Sequence, residues 1–251
     1  MDRLIIHDSW EALREFTDAR IALGRTGTSI PLQGELAFKL AHAHARDAVH
    51  SIMDTGFLVM ELKRFAVPVL LLKSRASTRQ LYLQRPDLGR LPDTLSEQLI
   101  TEFASPNDFT LIVADGLSAT AINHNLVQLL NILFPLLVST GLRPGPISIV
   151  EQGRVAIGDV VGHGLQSKLA IMLIGERPGL SSPDSIGAYI TYKPAPGLTD
   201  ESRNCVSNIR PKGLSFEKAS EKIMYIVAEA MKRKLTGTAL KDNAGLIIDQ
   251  E

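Results

Sequence analysis

The sequence predicts an α/β fold in which helices cover both faces of a largely parallel sheet, preceded by a helical N-terminal segment. Three observations predict it. Short, near-continuous apolar runs end in turn residues, and stretches of helical period alternate with them. The chain of 251 residues, 45% of them apolar, is long enough for one sizeable core.

Taken in order, "WEALREFTDARIAL" repeats apolar residues at three and four spacings after Ser9, a candidate N-cap, and stops at Gly24. "GRTGTSIP" is a loop. "ELAFKLAHAHARDAVHSIMD", residues 35–54, forms a second helix. "AVPVLLLKSRA" turns to strand character, and the prolines and Gly89 of "STRQLYLQRPDLGRLPDT" exclude a long helix there. "FTLIVADGLSA" is a strand ending at Asp115-Gly116, and "ATAINHNLVQLLNILFPLLVSTG" a long helix closed by Gly141. "ISIVEQGRV" and "KLAIMLIGE" are strands flanking a short helical piece at residues 160–165. "SIGAYITY" and, marginally, "CVSNI" add strands before a last amphipathic helix, "FEKASEKIMYIVAEAMKRKLTG". The result is a Rossmann-like arrangement. Residues 1–65 form the helical N-terminal segment and 66–251 the α/β part, as two units or as one continuous domain.

Composition narrows the partners. Lys+Arg and Asp+Glu both number 27, so no basic excess favours nucleic acid. Cys205 is the only cysteine, which points to a reducing, cytoplasmic setting. The N-terminus lacks the apolar core of a signal peptide. The apolar run at residues 126–138 is interrupted by Asn131 and Pro135 and is shorter than the roughly 20 residues of a membrane span, so it reads as a buried helix.

In parallel sheets, ligands sit beyond the carboxyl ends of the strands. Those ends are Asp115-Gly116, Glu176-Arg177 and the corner at residues 153–155. The loop "GERPGLSSPDS" after the fourth strand crowds prolines, serines and charges into a connector, which marks it as ligand-facing. Familiar chemistries are missing. "GLSSPDSIG" is not the Gly-x-Ser-x-Gly of a nucleophile elbow, "GHGLQS" is not a dinucleotide fingerprint, and no phosphate-loop pattern occurs. His42 and His44, two apart on a helix, face different ways and cannot share a metal there, so no metal site is assigned. Arg75, Arg79, Arg85 and Arg90 around Asp87 read as an ion-pair lattice or a subunit contact.

The motifs "ARIALGRTGTSIP", "LAFKLAHAHARDAV", "LYLQRPDLGR", "VADGLSATAI", "GRVAIGDVVG", "IGERPGLSSPDSIGAYITYKP" and "RNCVSNIRPKGL" occur in this order. In this the chain resembles the small subunit of ethanolamine ammonia-lyase, from about residue 19 to about residue 241. The resemblance implies a carbon–nitrogen lyase that uses adenosylcobalamin to convert ethanolamine to acetaldehyde and ammonia by radical chemistry. It implies a large barrel subunit that holds the substrate site, so that no catalytic residue falls in this chain, and it suggests six copies of each subunit. Cobalamin is then held between the subunits, and the family's contacts fall on Val155 of "GRV", Glu176 of "GERPGL" and Cys205 of "RNC". The resemblance leaves Ser181, Ser182 and Asp184 without a role.

A corrin ring displays many primary amides, and its tail adds a ribose and a phosphate, so backbone groups and a few carboxylate acceptors suit it. The Asp-x-His-x-x-Gly motif that replaces the lower base of cobalamin is not in the sequence, consistent with a cofactor that keeps its own base on cobalt. The resemblance also leaves open whether the enzyme is free in the cytoplasm or packaged in a bacterial microcompartment. A second class is a standalone small-molecule-binding α/β module of the same descent, and copurification with a large subunit separates the two.

Overall fold

The computed structural model describes residues 5–241. Six strands form one sheet: β1 (Val69–Lys73), β2 (Asn107–Ala114), β3 (Pro144–Glu151), β4 (Ser167–Gly175), β5 (Ile186–Tyr192) and β6 (Asn204–Ile209). Their order is β1-β3-β2-β4-β5-β6. The β1, β3, β2 and β4 neighbours run parallel, whereas β5 and β6 are antiparallel to their neighbours. The sheet is therefore mixed, and its order is not the 3-2-1-4-5-6 of dinucleotide-binding folds. The departure has a chain-length cause. The connector at residues 176–185 carries no helix and is too short for a parallel crossover, so β5 returns antiparallel.

Among the described residues there are seven α-helices: α1 (Leu32–His50), α2 (Thr55–Leu62), α3 (Arg79–Gln84), α4 (Thr94–Glu102), α5 (Ala119–Ser139), α6 (Ile157–Gly164) and α7 (Phe216–Arg233). On one face, α5 and α7 pack with Phe109, Leu111, Ile171 and Ile190 in a continuous apolar core that also takes in Leu58 and Leu62 of α2. On the other face, α4 and α6 close a smaller core over Leu72, Ile112, Val150 and Met172. Every position of β2 is buried, as expected for a central strand covered on both sides. Helix α5 is long and apolar enough to cross a membrane by composition, but its Leu126, Leu129, Leu130 and Leu133 are fully buried in the core that the sheet shares with α7 and α2.

The N-terminal region departs from expectation. In place of a helix capped by Ser9, the chain makes a six-residue 3-10 helix at Glu11–Phe16, with no buried residue and no side-chain cap. Trp10 and Phe16 are 66% and 84% exposed, so the apolar stripe is not packed against any of the described residues, and a short helix without packing is marginal. The helix expected at 35–54 begins earlier, after Pro31, and ends at His50. Asp54 then accepts from the Phe57 N–H and caps the separate helix α2. Helix α4 was not expected from the sequence, and its signal is Asp93, which accepts from the Ser96 N–H.

Candidate functional site

Beyond the carboxyl ends of β2, β3 and β4 lies a cleft of about 560 Å³. Gly116 and Leu117 come to it from the end of β2, Arg154 and Val155 from the corner after β3, and Glu176 and Arg177 from the end of β4. All three strand ends singled out in the sequence meet in one place. The reason is topological: β2 feeds α5 on one face of the sheet while its neighbour β3 feeds α6 on the other, so a crevice opens between them. A second cleft of about 690 Å³ adjoins the first and shares Arg154 and Val155 with it.

Backbone shape brings these loops close. Gly116 has φ +54°, and a Cβ there would lie 2.2 Å from the Gly175 carbonyl oxygen; a Cβ on Gly175 would lie 2.0 Å from that of Ser118. Only glycine fits either position. The Leu117 N–H then donates to the Gly175 carbonyl at 2.9 Å. Ser118 caps α5 through the Ala121 N–H, and its hydroxyl donates to the Pro183 carbonyl at 2.7 Å. Asn125 donates to the Asp184 carbonyl at 2.7 Å. Helix α5 thereby fixes the far end of the loop at residues 176–185, while the Ser181 hydroxyl ties its tip to the Asp18 carbonyl.

The corner bearing Val155 is held from below. Asp115, 3% exposed, accepts from the Gly153 N–H at 3.2 Å and lies 3.6 Å from Arg79. Burial pushes its carboxyl up to about 6, against the opposing pull of Arg79 and of backbone N–H groups. Tyr82 is stacked beneath Arg154 and Arg79, whose guanidinium carbons lie 4.1 and 4.6 Å from its ring centre. Its hydroxyl donates to the Gly153 carbonyl, and Arg154 donates back to the Tyr82 carbonyl at 2.8 Å. The arginine lattice expected around Asp87 reduces to one exposed pair with Arg85; Arg79 serves Asp115 instead, and Arg75 pairs with Glu97.

Of the three residues expected to meet a cofactor, Val155 and Glu176 line the cleft. Glu176 Oε2 accepts from the Asn208 N–H at 3.1 Å, and Oε1 accepts no hydrogen bond among the described residues. Cys205 sits beside the cleft rather than in its lining. It stands opposite Tyr189 across the β5–β6 pair, and Tyr189 does line it. The residue is exposed as a whole, yet its thiol is crowded. Partial burial raises the thiol, the hydrogen bond with Tyr189 opposes that, and the Glu176 charge adds to the rise. It is not an activated nucleophile.

Sequence reasoning missed Tyr82, Tyr189, Asn208 and Arg210, which also line the cleft. Period-two alternation places Tyr189 on the sheet face away from Ala188 and Ile190, a signal available in "SIGAYITY". Nothing in the sequence brings Tyr82 there, because its position depends on α3 folding under the β3 corner. Among the described residues no group of three or more His, Cys, Asp or Glu gathers to hold a metal ion.

Comparison with known proteins adds a name to this geometry. Residues 7–241 match the family described as ethanolamine ammonia-lyase light chain (EutC). The chain is 49% identical to a protein of Azotobacter vinelandii named ethanolamine ammonia-lyase small subunit, over 94% of this chain and 88% of that protein. It is 51% identical to one of the same name from Xanthomonas campestris pv. campestris, over 94% and 89% of the two chains. A third, from Ralstonia nicotianae, is 48% identical over 96% and 90%.

Proposed function

The chain belongs to the ethanolamine ammonia-lyase light-chain family, and on that premise we propose that it is the accessory subunit of an adenosylcobalamin-dependent ethanolamine ammonia-lyase, active only with a large subunit. The observation that carries this reading is the meeting of the Val155 and Glu176 loops in a cleft beyond the strand ends, with Cys205 at its side.

The donor set suits a corrinoid. The free Oε1 of Glu176 accepts from a primary amide or a ribose hydroxyl, and Val155 sits where the two clefts join, so a ligand larger than either cleft passes over it. The Nε of Arg154 is buried without a hydrogen-bond partner, a donor left for a ligand acceptor. Cys205, with its raised thiol and its bond to Tyr189, contributes shape and a weak contact rather than reactivity. When bound, the cofactor supplies the radical chemistry that turns ethanolamine into acetaldehyde and ammonia. This chain's part is to bind and orient, and we assign it no catalytic side chain.

The large subunit, a barrel that holds the substrate, completes the other wall of the site in this reading. Leu36, Phe38 and Leu40 of α1 are exposed, as are Trp10 and Phe16, and that much apolar surface suits a subunit contact. We place the complex in the cytoplasm, free or within a bacterial microcompartment. The test is reconstitution. The purified chain mixed with the large subunit, adenosylcobalamin and ethanolamine yields acetaldehyde, and the chain alone yields none. Acetaldehyde from this chain by itself, or from the large subunit equally well without it, rejects the proposed division of labour.

A further inference from the structure

We propose that Arg177 and Arg210 form an anion subsite in the cleft, which takes the phosphodiester of the cofactor's nucleotide tail. This rests on the cobalamin reading above and names residues that the resemblance does not assign.

Three arginines, Arg154, Arg177 and Arg210, line the cleft against a single acidic residue, Glu176. The concentration is local, since the whole chain balances 27 basic against 27 acidic residues. Arg210 is only 8% exposed, yet at hydrogen-bond distance its side chain meets a neutral group, the Asn208 Oδ1 at 3.1 Å. The nearest carboxylate oxygen, Asp184 Oδ1, stands 3.7 Å away, too far for a hydrogen bond, and is itself buried without a partner. With one neutral acceptor at hydrogen-bond distance, the guanidinium keeps donor capacity for a ligand in the cleft. Arg177 is exposed and makes no hydrogen bond or ion pair among the described residues.

Guanidiniums only donate, and two of them match the two free oxygens of a phosphodiester better than they match the single carbonyl oxygen of a corrin amide. The turn after β6 sets the position. Asn208 has φ +59°, its N–H is held by Glu176, and its side chain holds Arg210. The same turn therefore contacts both the carboxylate that accepts from amides and the guanidinium that donates to phosphate.

The experiment compares two corrinoids on the complex with the large subunit: hydroxocobalamin, which carries the phosphodiester tail, and dicyanocobinamide, which lacks it. Affinities are read from the visible spectrum. Arg177→Ala and Arg210→Ala each weaken cobalamin by about 10-fold or more, as loss of a charge-assisted hydrogen bond does, and leave cobinamide within about 2-fold. Inorganic phosphate competes with cobalamin on the wild-type complex and not on the double variant. Because Arg210 is buried and its removal endangers folding, exposed Arg177 supplies the independent reading. Equal weakening of both corrinoids, unchanged cobalamin affinity in Arg177→Ala, or phosphate binding lost without any difference between the corrinoids overturns the proposal. A wild-type complex that takes up neither corrinoid rejects the cobalamin reading itself, and the subsite with it.

Discussion

On one face of the sheet α5 and α7 reach across β2, β4, β5 and β6, whereas on the other face α4 and α6 cover β1 to β4 and stop. The same two strands, β5 and β6, thus present Ala188, Ile190 and Val206 to a sealed core on one side and Tyr189 and Cys205 to an open flank on the other. A fully covered face is finished by its own chain, and its residues answer to packing. The uncovered flank lies next to the crevice at the strand ends, and in the proposed function a second subunit covers it.

That contrast can be broken or sharpened by substitution. The largest effect is expected on the sealed side. Leu130→Ala, which truncates a fully buried side chain of α5, should cost about 2 to 5 kcal/mol in urea unfolding. A loss below about 1 kcal/mol would mean that the face is not the core described.

Next comes Asp115, at the boundary between the two regions. Its folded carboxyl titrates at about 6, above the ordinary value of 3.8, so the native state holds the proton more tightly than the unfolded chain does. Its contribution to stability is fully present below about pH 4 and is lost as pH rises through about 6. A shift of this size corresponds to about 3 kcal/mol. The stability of the wild type minus that of Asp115→Asn should fall by that order between pH 4 and pH 7. A difference that stays flat over this range refutes the buried-acid account of the corner.

On the open flank, Glu176→Ala should leave unfolding nearly unchanged while weakening cobalamin binding by the complex by about 1.5 to 3 kcal/mol. Unchanged affinity in a folded complex removes Glu176 from the site. The smallest effect is expected for Cys205→Ala. It loses a weak thiol contact with Tyr189 on an exposed edge, about 1 kcal/mol or less by either measurement. A large loss of affinity instead would make the thiol a principal ligand contact.

Much of this architecture was legible in the sequence, because it rests on local patterns. The apolar runs of β2 and β4, the glycine stop after α5 and the strand-end pairs Asp115-Gly116 and Glu176-Arg177 all announce themselves. What stayed hidden depends on contacts distant in sequence. The helix expected at residues 10–23 has the right period, but no surface among the described residues buries it. The reversal of β5 follows from what a short connector can span, which apolar pattern does not encode. The site was half legible: Val155 and Glu176 sit in recognisable motifs, while Tyr82 and Arg210 reach the cleft only through α3 and the turn after β6. The serine-rich loop has gained a physical account, with Ser181 anchoring its tip and Asp184 facing Arg210.

In the proposed function, the open flank and cleft form one wall of a cobalamin site shared with a second subunit. The structure of the two-subunit complex with cobalamin bound tests it most directly. The account predicts the corrin between the subunits, in contact with Val155 and Glu176, with its phosphate against Arg177 and Arg210. A corrin held wholly by the large subunit, or on the face covered by α5 and α7, would contradict it.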